Sequence, residues 1–327
     1  MADYHFGIEI EVLVKPHKIR NPLIEKHALY YEKLAAALRN RGLKSQADSL
    51  QNGYSKHPEH YDKWWITKDS SLGNPEHLIP MEAVSPVLGC RAHWEGEIDK
   101  FWAAMRAVFH MPERSPKCGS HIHISRGQSQ RFTLPQLKTI AYGIVIYEPL
   151  VLQLLMVDRA ENTYCMPNTQ RSTRLRQCGT NWAAIAQLIN SATSNEMLRD
   201  IMQDNRYVLW NFDHILPGRS GTIEFRGGRC LRGEIRTKRW IAFTVAITHA
   251  FLSMNDITHP SRSSIESWSP KALYEKTKKH AEHLSMRALL PDDYEILNES
   301  IRYSSHPRNV PMKLTRAKRV TGECLLS

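Results

Sequence analysis

Cys118-Gly119-Ser120-His121-Ile122-His123-Ile124-Ser125 reads as a short buried strand with two imidazoles on one face. Side chains alternate along a strand, so residues two apart point together. His121 and His123 therefore look one way, while Ile122 and Ile124 look the other and can pack on a core. The same design recurs twice. In Phe6-Gly7-Ile8-Glu9-Ile10-Glu11-Val12-Leu13, Glu9 and Glu11 share a face opposite Ile8, Ile10 and Val12. Gly221-Thr222-Ile223 leads into Glu224-Phe225-Arg226, which sets an acid beside a guanidinium on one face. Segments far apart in the chain thus offer three polar pairs, and neighbouring strands would pool them.

Outward from these strands, the pattern predicts a helix from Pro22-Leu23-Ile24 to about Leu43, with Leu34, Ala35 and Leu38 on one face. Residues 44–62 are polar and carry the breakers Asn52-Gly53 and His57-Pro58, so a surface loop is expected there. Trp64 to Leu72 and Ile79 to Leu88 read as strands entering the core. Glu82 interrupts the second, either half exposed at an edge or aimed into the same polar site as Glu9 and Glu11. His93 to His110 has helical spacing of Trp94, Ile98, Phe101, Trp102, Met105 and Phe109, which suits core packing.

Thr133-Leu134-Pro135 has the cap and first-turn proline of a long helix. Its most apolar run, Ile140 to Val157, contains Glu148, Pro149 and Gln153; it is too short and too polar for a comfortable membrane span and reads as a core helix. A polar stretch from Glu161 to Arg176 carries Arg171, Arg174 and Arg176. Short helices are expected over 181–190 and 195–202, a strand over 206–214, and a helix over 234–254. Beyond residue 256 Ser, Pro, His and Lys dominate, with helical segments near 270–288 and 292–302 and a basic tail. The mixture lacks a βαβ rhythm and favours an α+β fold on an antiparallel sheet. Residues 1–255 are expected to form the catalytic domain and 256–327 a helical extension.

The chain has 327 residues, 42% of them hydrophobic, which is enough for a substantial core. A formal charge of +11 suits an anionic partner, whether nucleic acid, acidic lipid or a phosphorylated or carboxylate substrate, and equally suits plain solubility. The six cysteines form no Cys-x-x-Cys pair and the N-terminus has no signal-peptide pattern, so a reducing, cytoplasmic setting is expected.

Several carboxylates pooled with histidine call for a divalent cation, because packed acids repel one another. Oxygen-dominated ligands without cysteine favour Mg²⁺ or Mn²⁺ over a structural zinc. Arg226 beside the acids suggests phosphates held between metal and guanidinium, the setting of phosphoryl transfer. Burying such groups unpaired in otherwise apolar strands would cost several kcal/mol each.

Gly7-Ile8-Glu9-Ile10-Glu11, Asp69-Ser70-Ser71-Leu72, Met81 to Leu88, Cys118 to His123, Arg206-Tyr207 with Asn211-Phe212, and Thr222 to Arg226 follow the order seen in the amidoligase family. Over roughly residues 5–250 the chain resembles that family, which groups with glutamine synthetase and glutamate-cysteine ligase. The resemblance implies a curved antiparallel sheet with helices on its outer face and ATP and Mg²⁺ on its concave face. It implies ATP-dependent joining of a small-molecule carboxylate to an amine through an acyl phosphate. Glu9 and Glu11 would ligate different metals, with Glu82 joining Glu11's ion and His121 and Glu224 completing the ion that bridges the ATP phosphates. Arg226 would stabilise the transferring phosphoryl group, and His123 would touch substrate or support a ligand. Lys68 and Asp69 are candidate contacts for nucleotide or substrate carboxylate, as are Arg171, Arg174 and Arg176, for which an ordinary solvated loop is an equal account. Relatives that assemble into rings leave a dimer or higher oligomer open.

Three rival readings stand beside this one. A metal-dependent amide or phosphoester hydrolase would use His121, His123 and the glutamates to activate water without ATP. A basic nucleic-acid-binding protein would use the strand motifs only structurally and bind with steep salt dependence. An acyltransferase would use Cys165 as nucleophile; an inert buried thiol is the plainer account of that residue. Finally, Cys324-Leu325-Leu326-Ser327 matches a prenylation pattern behind Lys313, Arg316, Lys318 and Arg319, which would place a pool of the protein at a membrane.

Overall fold

A computed structural model describes residues 3–18, 22–50, 61–128, 130–254 and 269–298. Its centre is an open eight-stranded sheet. In spatial order it runs β2 (Ser45–Ala47), β3 (Trp64–Thr67), β4 (Ile79–Val84), β1 (His5–Val14), β6 (Gly119–Ser125), β8 (Ile223–Arg229) and β7 (Trp210–Asn211), with β5 (Leu88–Gly89) also on β1. Every pairing is antiparallel except β2 on β3. The expected antiparallel sheet is therefore present, with one parallel edge.

Alternation along β1 builds the two faces. Ile8, Ile10, Val12 and Val14 are fully buried, and Met81 and Ala83 of β4 stand opposite Val12 and Ile10 on that same face. Helices cover it: α1 (His27–Arg39), α2 (Trp94–Val108), α3 (Leu134–Leu154) and α9 (Glu234–Leu252). Trp64 of β3 stacks on Phe101 of α2 at 4.2 Å, and Phe225 of β8 stacks on Trp240 of α9 at 6.0 Å. Trp102 Nε1 donates to Thr237 Oγ1 at 2.8 Å, so α2 and α9 are tied by a buried polar contact as well as by packing.

Thr133 caps α3 in a reciprocal capping box with Gln136, and Pro135 occupies its first turn, as the sequence predicts. The helix starts six residues before the apolar run begins. By length and composition it is long and apolar enough to cross a membrane, yet 67% of its most apolar window is buried inside the fold. Packing, rather than the length or polarity read from sequence, makes it a core helix. Glu148 within it accepts from Asn168 N and Thr169 N, which is how a buried acid is accommodated.

Two expectations need correction, and one stretch left open gains its structure. Residues 45–47 are not loop but β2, whose three residues are too few to show alternation; Ser45 Oγ donates to Ala35 O at 2.7 Å and anchors the strand to α1. The strand expected over 206–214 shrinks to Trp210–Asn211. Its neighbouring backbone donors go to side chains instead of a ladder, Trp210 N to Asn168 Oδ1 and Phe212 N to Gln203 Oε1, and the chain then turns in a 3-10 helix at Asp213–Ile215. The polar stretch after 161 holds α4 just before it (Val157–Ala160), then α5 (Asn168–Arg171) and α6 (Thr173–Cys178), the last capped by Ser172.

The predicted short helices form as α7 (Trp182–Asn190) and α8 (Asn195–Met202). Beyond α9, helix α10 (Pro270–His283) packs on α9 and α3, and 3-10 turns follow at Arg287–Leu289 and Tyr294–Asn298. The breakers at 52–53 and 57–58, the prenylation pattern at Cys324 and the basic tail lie outside the described residues.

Candidate active site

The face of the sheet opposite the helices carries the acids. Register places them in lateral rows: Thr67 of β3 opposite Glu82 of β4, Glu82 opposite Glu11 of β1, Glu9 opposite His121 of β6, and His123 opposite Glu224 of β8, with Asn211 of β7 beyond. Between the pairs Ser120–Gly228 and Ile122–Phe225, one residue of β6 faces two of β8. This bulge brings Arg226 alongside His121, and bulges commonly re-aim side chains at sites. Gly228 is required there, since a Cβ on it would stand 2.5 Å from the Ser120 carbonyl oxygen.

His121 is almost fully buried and sits amid three carboxylates. Its Nδ1 lies 2.7 Å from Glu9 Oε2 and 3.3 Å from Glu224 Oε1, and its Nε2 lies 3.5 Å from Glu11 Oε1. His123 is less buried; its Nε2 lies 3.0 Å from Glu9 Oε1, and its ring packs edge-on against His214 at 4.8 Å. Glu224 is held from four sides. Arg226 Nη1 donates to Oε1 at 2.6 Å, Asn211 Nδ2 donates to Oε2 at 2.7 Å, and His214 Nε2 and His121 complete the ring of partners. Gln203 Nε2 in turn donates to Asn211 Oδ1 at 2.7 Å and fixes the amide that orients Glu224.

Three groups of side chains at this face have ligand atoms within 4.8 Å of one another, the spacing from which one cation can be bound: Glu9, His121 and Glu224; Glu11, Asp69 and Glu82; and His123, His214 and Glu224. Glu82 is thus directed into the acidic site rather than lying at an edge, because β4 is an interior strand flanked by β3 and β1.

The charge balance differs between the two acidic groups. Burial pushes the Glu9 and Glu224 carboxyls up, but the partners win: His123 and His121 on Glu9, and Arg226, His123, His214 and His121 on Glu224, hold both below the usual carboxylate range. Burial raises Glu11 to about 7, with the Asp69 carboxylate adding to it and His121 opposing. Glu82 is pushed well above the usual range by burial and then by Glu9, Glu11, Asp69 and Glu224. One acidic group is therefore neutralised by protein cations, while in the other the ionised acids go uncompensated, and a hard divalent cation would take the place of the protons they retain. Burial works against the charged form of His123, yet Glu9 and Glu224 raise it. Burial likewise opposes the charge on Arg226, which Glu224, Glu11 and Glu9 hold firmly protonated.

A sequence-family profile described as "Putative amidoligase enzyme" matches residues 2–248, from before β1 into the last turn and a half of α9. The chain belongs to this family. Membership points to a ligase-type enzyme that forms amide bonds. No curated protein matches the sequence.

In this family member the structure brings together Glu9, Glu11, Glu82, His121, His123, Glu224 and Arg226, all singled out in the sequence. Asp69 joins them, but as a third carboxylate beside Glu11 and Glu82; it also caps the 3-10 turn at Ser70–Leu72. Lys68 is not gathered in: its Nζ is bonded to Asn74 Oδ1 at 2.8 Å. Arg174 and Arg176 are exposed on α6, where Arg176 bonds Thr173 Oγ1. Cys165 is fully buried, its thiol donates to the Arg159 carbonyl at 3.1 Å, and burial raises its pKa, all features of an inert thiol. His214, Gln203 and the orienting role of Asn211 escaped the sequence. The only local trace of His214 was its place three residues after Asn211, which a 3-10 turn converts into a shared site.

Proposed function

We propose that this amidoligase is an ATP- and Mg²⁺-dependent carboxylate–amine ligase with a glutamine-synthetase-like arrangement of its sheet. The observation that carries the reading is the pair of cation-sized groups, Glu9–His121–Glu224 and Glu11–Asp69–Glu82, side by side on one sheet face with Arg226 on β8, between β6 and β7. Their donors are mostly carboxylate oxygens, which suit Mg²⁺ or Mn²⁺. When bound, Mg²⁺ supplies neutralisation of the ATP phosphates.

The chain's own residues then have separate tasks. Glu9, His121 and Glu224 hold one ion, and Glu11, Asp69 and Glu82 hold the second. Arg226, locked to Glu224, presents a fixed positive charge where a phosphoryl group moves to the substrate carboxylate. His123, whose protonated form Glu9 and Glu224 favour against its burial, faces the anionic acid. A carboxylate does not react with an amine at neutral pH; its acyl phosphate does. Attack by the amine forms the C–N bond, expels inorganic phosphate and releases one proton, leaving amide and ADP.

A second reading, metal-dependent hydrolysis, is favoured by the His123–His214–Glu224 group, whose two imidazoles and one carboxylate suit water activation. Incubation with ATP, Mg²⁺ and pooled acids and amines separates the two. Ligation yields ADP together with masses equal to acid plus amine minus water. Turnover of an amide or phosphoester without ATP would establish the hydrolase instead.

A further inference from the structure

A second cluster lies away from the acidic face. His280 and His283 are three residues apart on α10 and so share one side of that helix. His249 of α9 faces them. One ring nitrogen from each of the three lies within 4.8 Å of the others, and the ring centroids stand 5.1 Å (His249–His280), 5.7 Å (His280–His283) and 6.2 Å (His249–His283) apart. We propose that His249, His280 and His283 bind one transition-metal ion of the zinc class, which pins α10 to the catalytic fold.

The chemistry of the cluster supports a metal over a proton or an acidic partner. His280 Nδ1 is buried with no hydrogen-bond partner among the described residues, which leaves a lone pair or an N–H unsatisfied. Burial and then His249, Lys276 and His283 push His280 down to about 4; burial, His283 and Arg126 lower His249. Neutral imidazoles are the form in which histidine ligates a metal. The Tyr4 hydroxyl lies 3.0 Å from His249 Nδ1. With Nδ1–H donating to that oxygen, Nε2 keeps a free lone pair, the outer contact that metal-bound histidines usually have.

The ligand set also selects the ion. Three imidazole nitrogens offer nothing to Mg²⁺, whose partners are oxygens, but they suit Zn²⁺, Co²⁺, Ni²⁺ or Cu²⁺. Tetrahedral nitrogens around zinc stand about 3.3 Å apart for bonds of about 2.0–2.1 Å, so a small inward adjustment of the three rings closes the site. His283 is exposed, leaving the fourth position to water. Glu11, Asp69 and Glu82 prefer hard ions and this cluster borderline ones, but the His123–His214–Glu224 group also suits a borderline ion, so variants separate the sites. The location gives the ion a structural consequence. Helix α10 lies beyond the family match at 2–248, and the cluster joins it to α9 and, through Tyr4, to the residue before β1.

The test uses the untagged, metal-free full chain with excess Mg²⁺ present, titrated with Co²⁺ and then Zn²⁺. We expect one equivalent of Co²⁺ to give the strong visible bands of a four- or five-coordinate site and to be displaced by Zn²⁺. His283→Gln, at an exposed position, weakens Zn²⁺ binding tenfold or more while the metal-free circular dichroism and melting temperature stay unchanged. His280→Ala with His283→Ala abolishes the bands and the Zn²⁺-induced rise in melting temperature, whereas Glu82→Gln and His214→Gln each keep both. Binding that survives both His283 variants, binding lost in Glu82→Gln or His214→Gln, or no stoichiometric Co²⁺ signal overturns the proposal and leaves the three rings as an edge-on aromatic stack.

Discussion

His121 bridges both carboxylates of the Glu-x-Glu strand: its Nδ1 is 2.7 Å from Glu9 and its Nε2 is 3.5 Å from Glu11. The two acids of β1 belong to different cation-sized groups, so one imidazole links them. His121→Ala is expected to lower Mn²⁺ affinity and amide formation by at least about 100-fold, beyond the loss typical of an outer contact. Mn²⁺ titration and a coupled ADP assay check both. Wild-type affinity in the variant would remove His121 from the metal site.

Glu82 is the most electrostatically burdened acid of the cluster. Glu82→Gln replaces an acid whose ionised form burial and its neighbours disfavour, so without metal it leaves stability unchanged or raises it. The same change should erase the rise in melting temperature that Mg²⁺ or Mn²⁺ gives the wild type, which by linkage reaches about 3 kcal/mol at a hundredfold excess over Kd. Scanning calorimetry with metal and with EDTA reads both effects. A metal response as large in the variant as in the wild type contradicts the assignment.

Glu148 sets a pH dependence. Burial raises its pKa from 4.5 to about 7, although its bonds from Thr169 and Asn168 pull the other way. Between those values the native state holds a proton that the unfolded chain has released, so stability falls as pH rises from about 4.5 to about 7 and is flat above. The full contribution is on the order of 3 kcal/mol. Other raised acids, such as Glu11, act in the same direction, so the readout is a difference. Urea unfolding at pH 5 and pH 8 should show a smaller loss for Glu148→Gln than for wild type, and equal losses would refute this.

Two glycines give opposite outcomes. Gly228→Ala drives a methyl into the Ser120 backbone at the β6–β8 bulge and should cost about 1–3 kcal/mol while displacing His121. Gly96, exposed near the start of α2, has open space where an alanine methyl would stand, so Gly96→Ala should stabilise by about 0.5–1 kcal/mol. Chemical denaturation of both variants tests the contrast.

Much of this was legible without coordinates. Alternation in Phe6–Leu13, Cys118–Ser125 and Ile223–Arg226 marks strands with one apolar and one ionisable face, because a half-buried strand cannot hide its period of two. The capping box of α3 and the aromatic spacing of α2 are equally local signals. The family resemblance likewise rests on those strand motifs, and the match to 2–248 bears it out.

Other features depended on the tertiary structure. Strand order, which places β4 inside the sheet and turns Glu82 toward Glu11, follows from long-range pairing that no local pattern encodes. That Asp69 stands with Glu11 and Glu82 also depends on the strand pairing, which carries the 3-10 turn after β3 to the same face. His214 meets Glu224 where the chain leaves β7: Gln203 takes the Phe212 N–H and a 3-10 turn follows at once. The sequence by itself determined which side chains are buried and charged, since period and composition are carried locally. Which of them meet was decided by register, bulge and helix packing, whose energies exist only once distant segments are in contact.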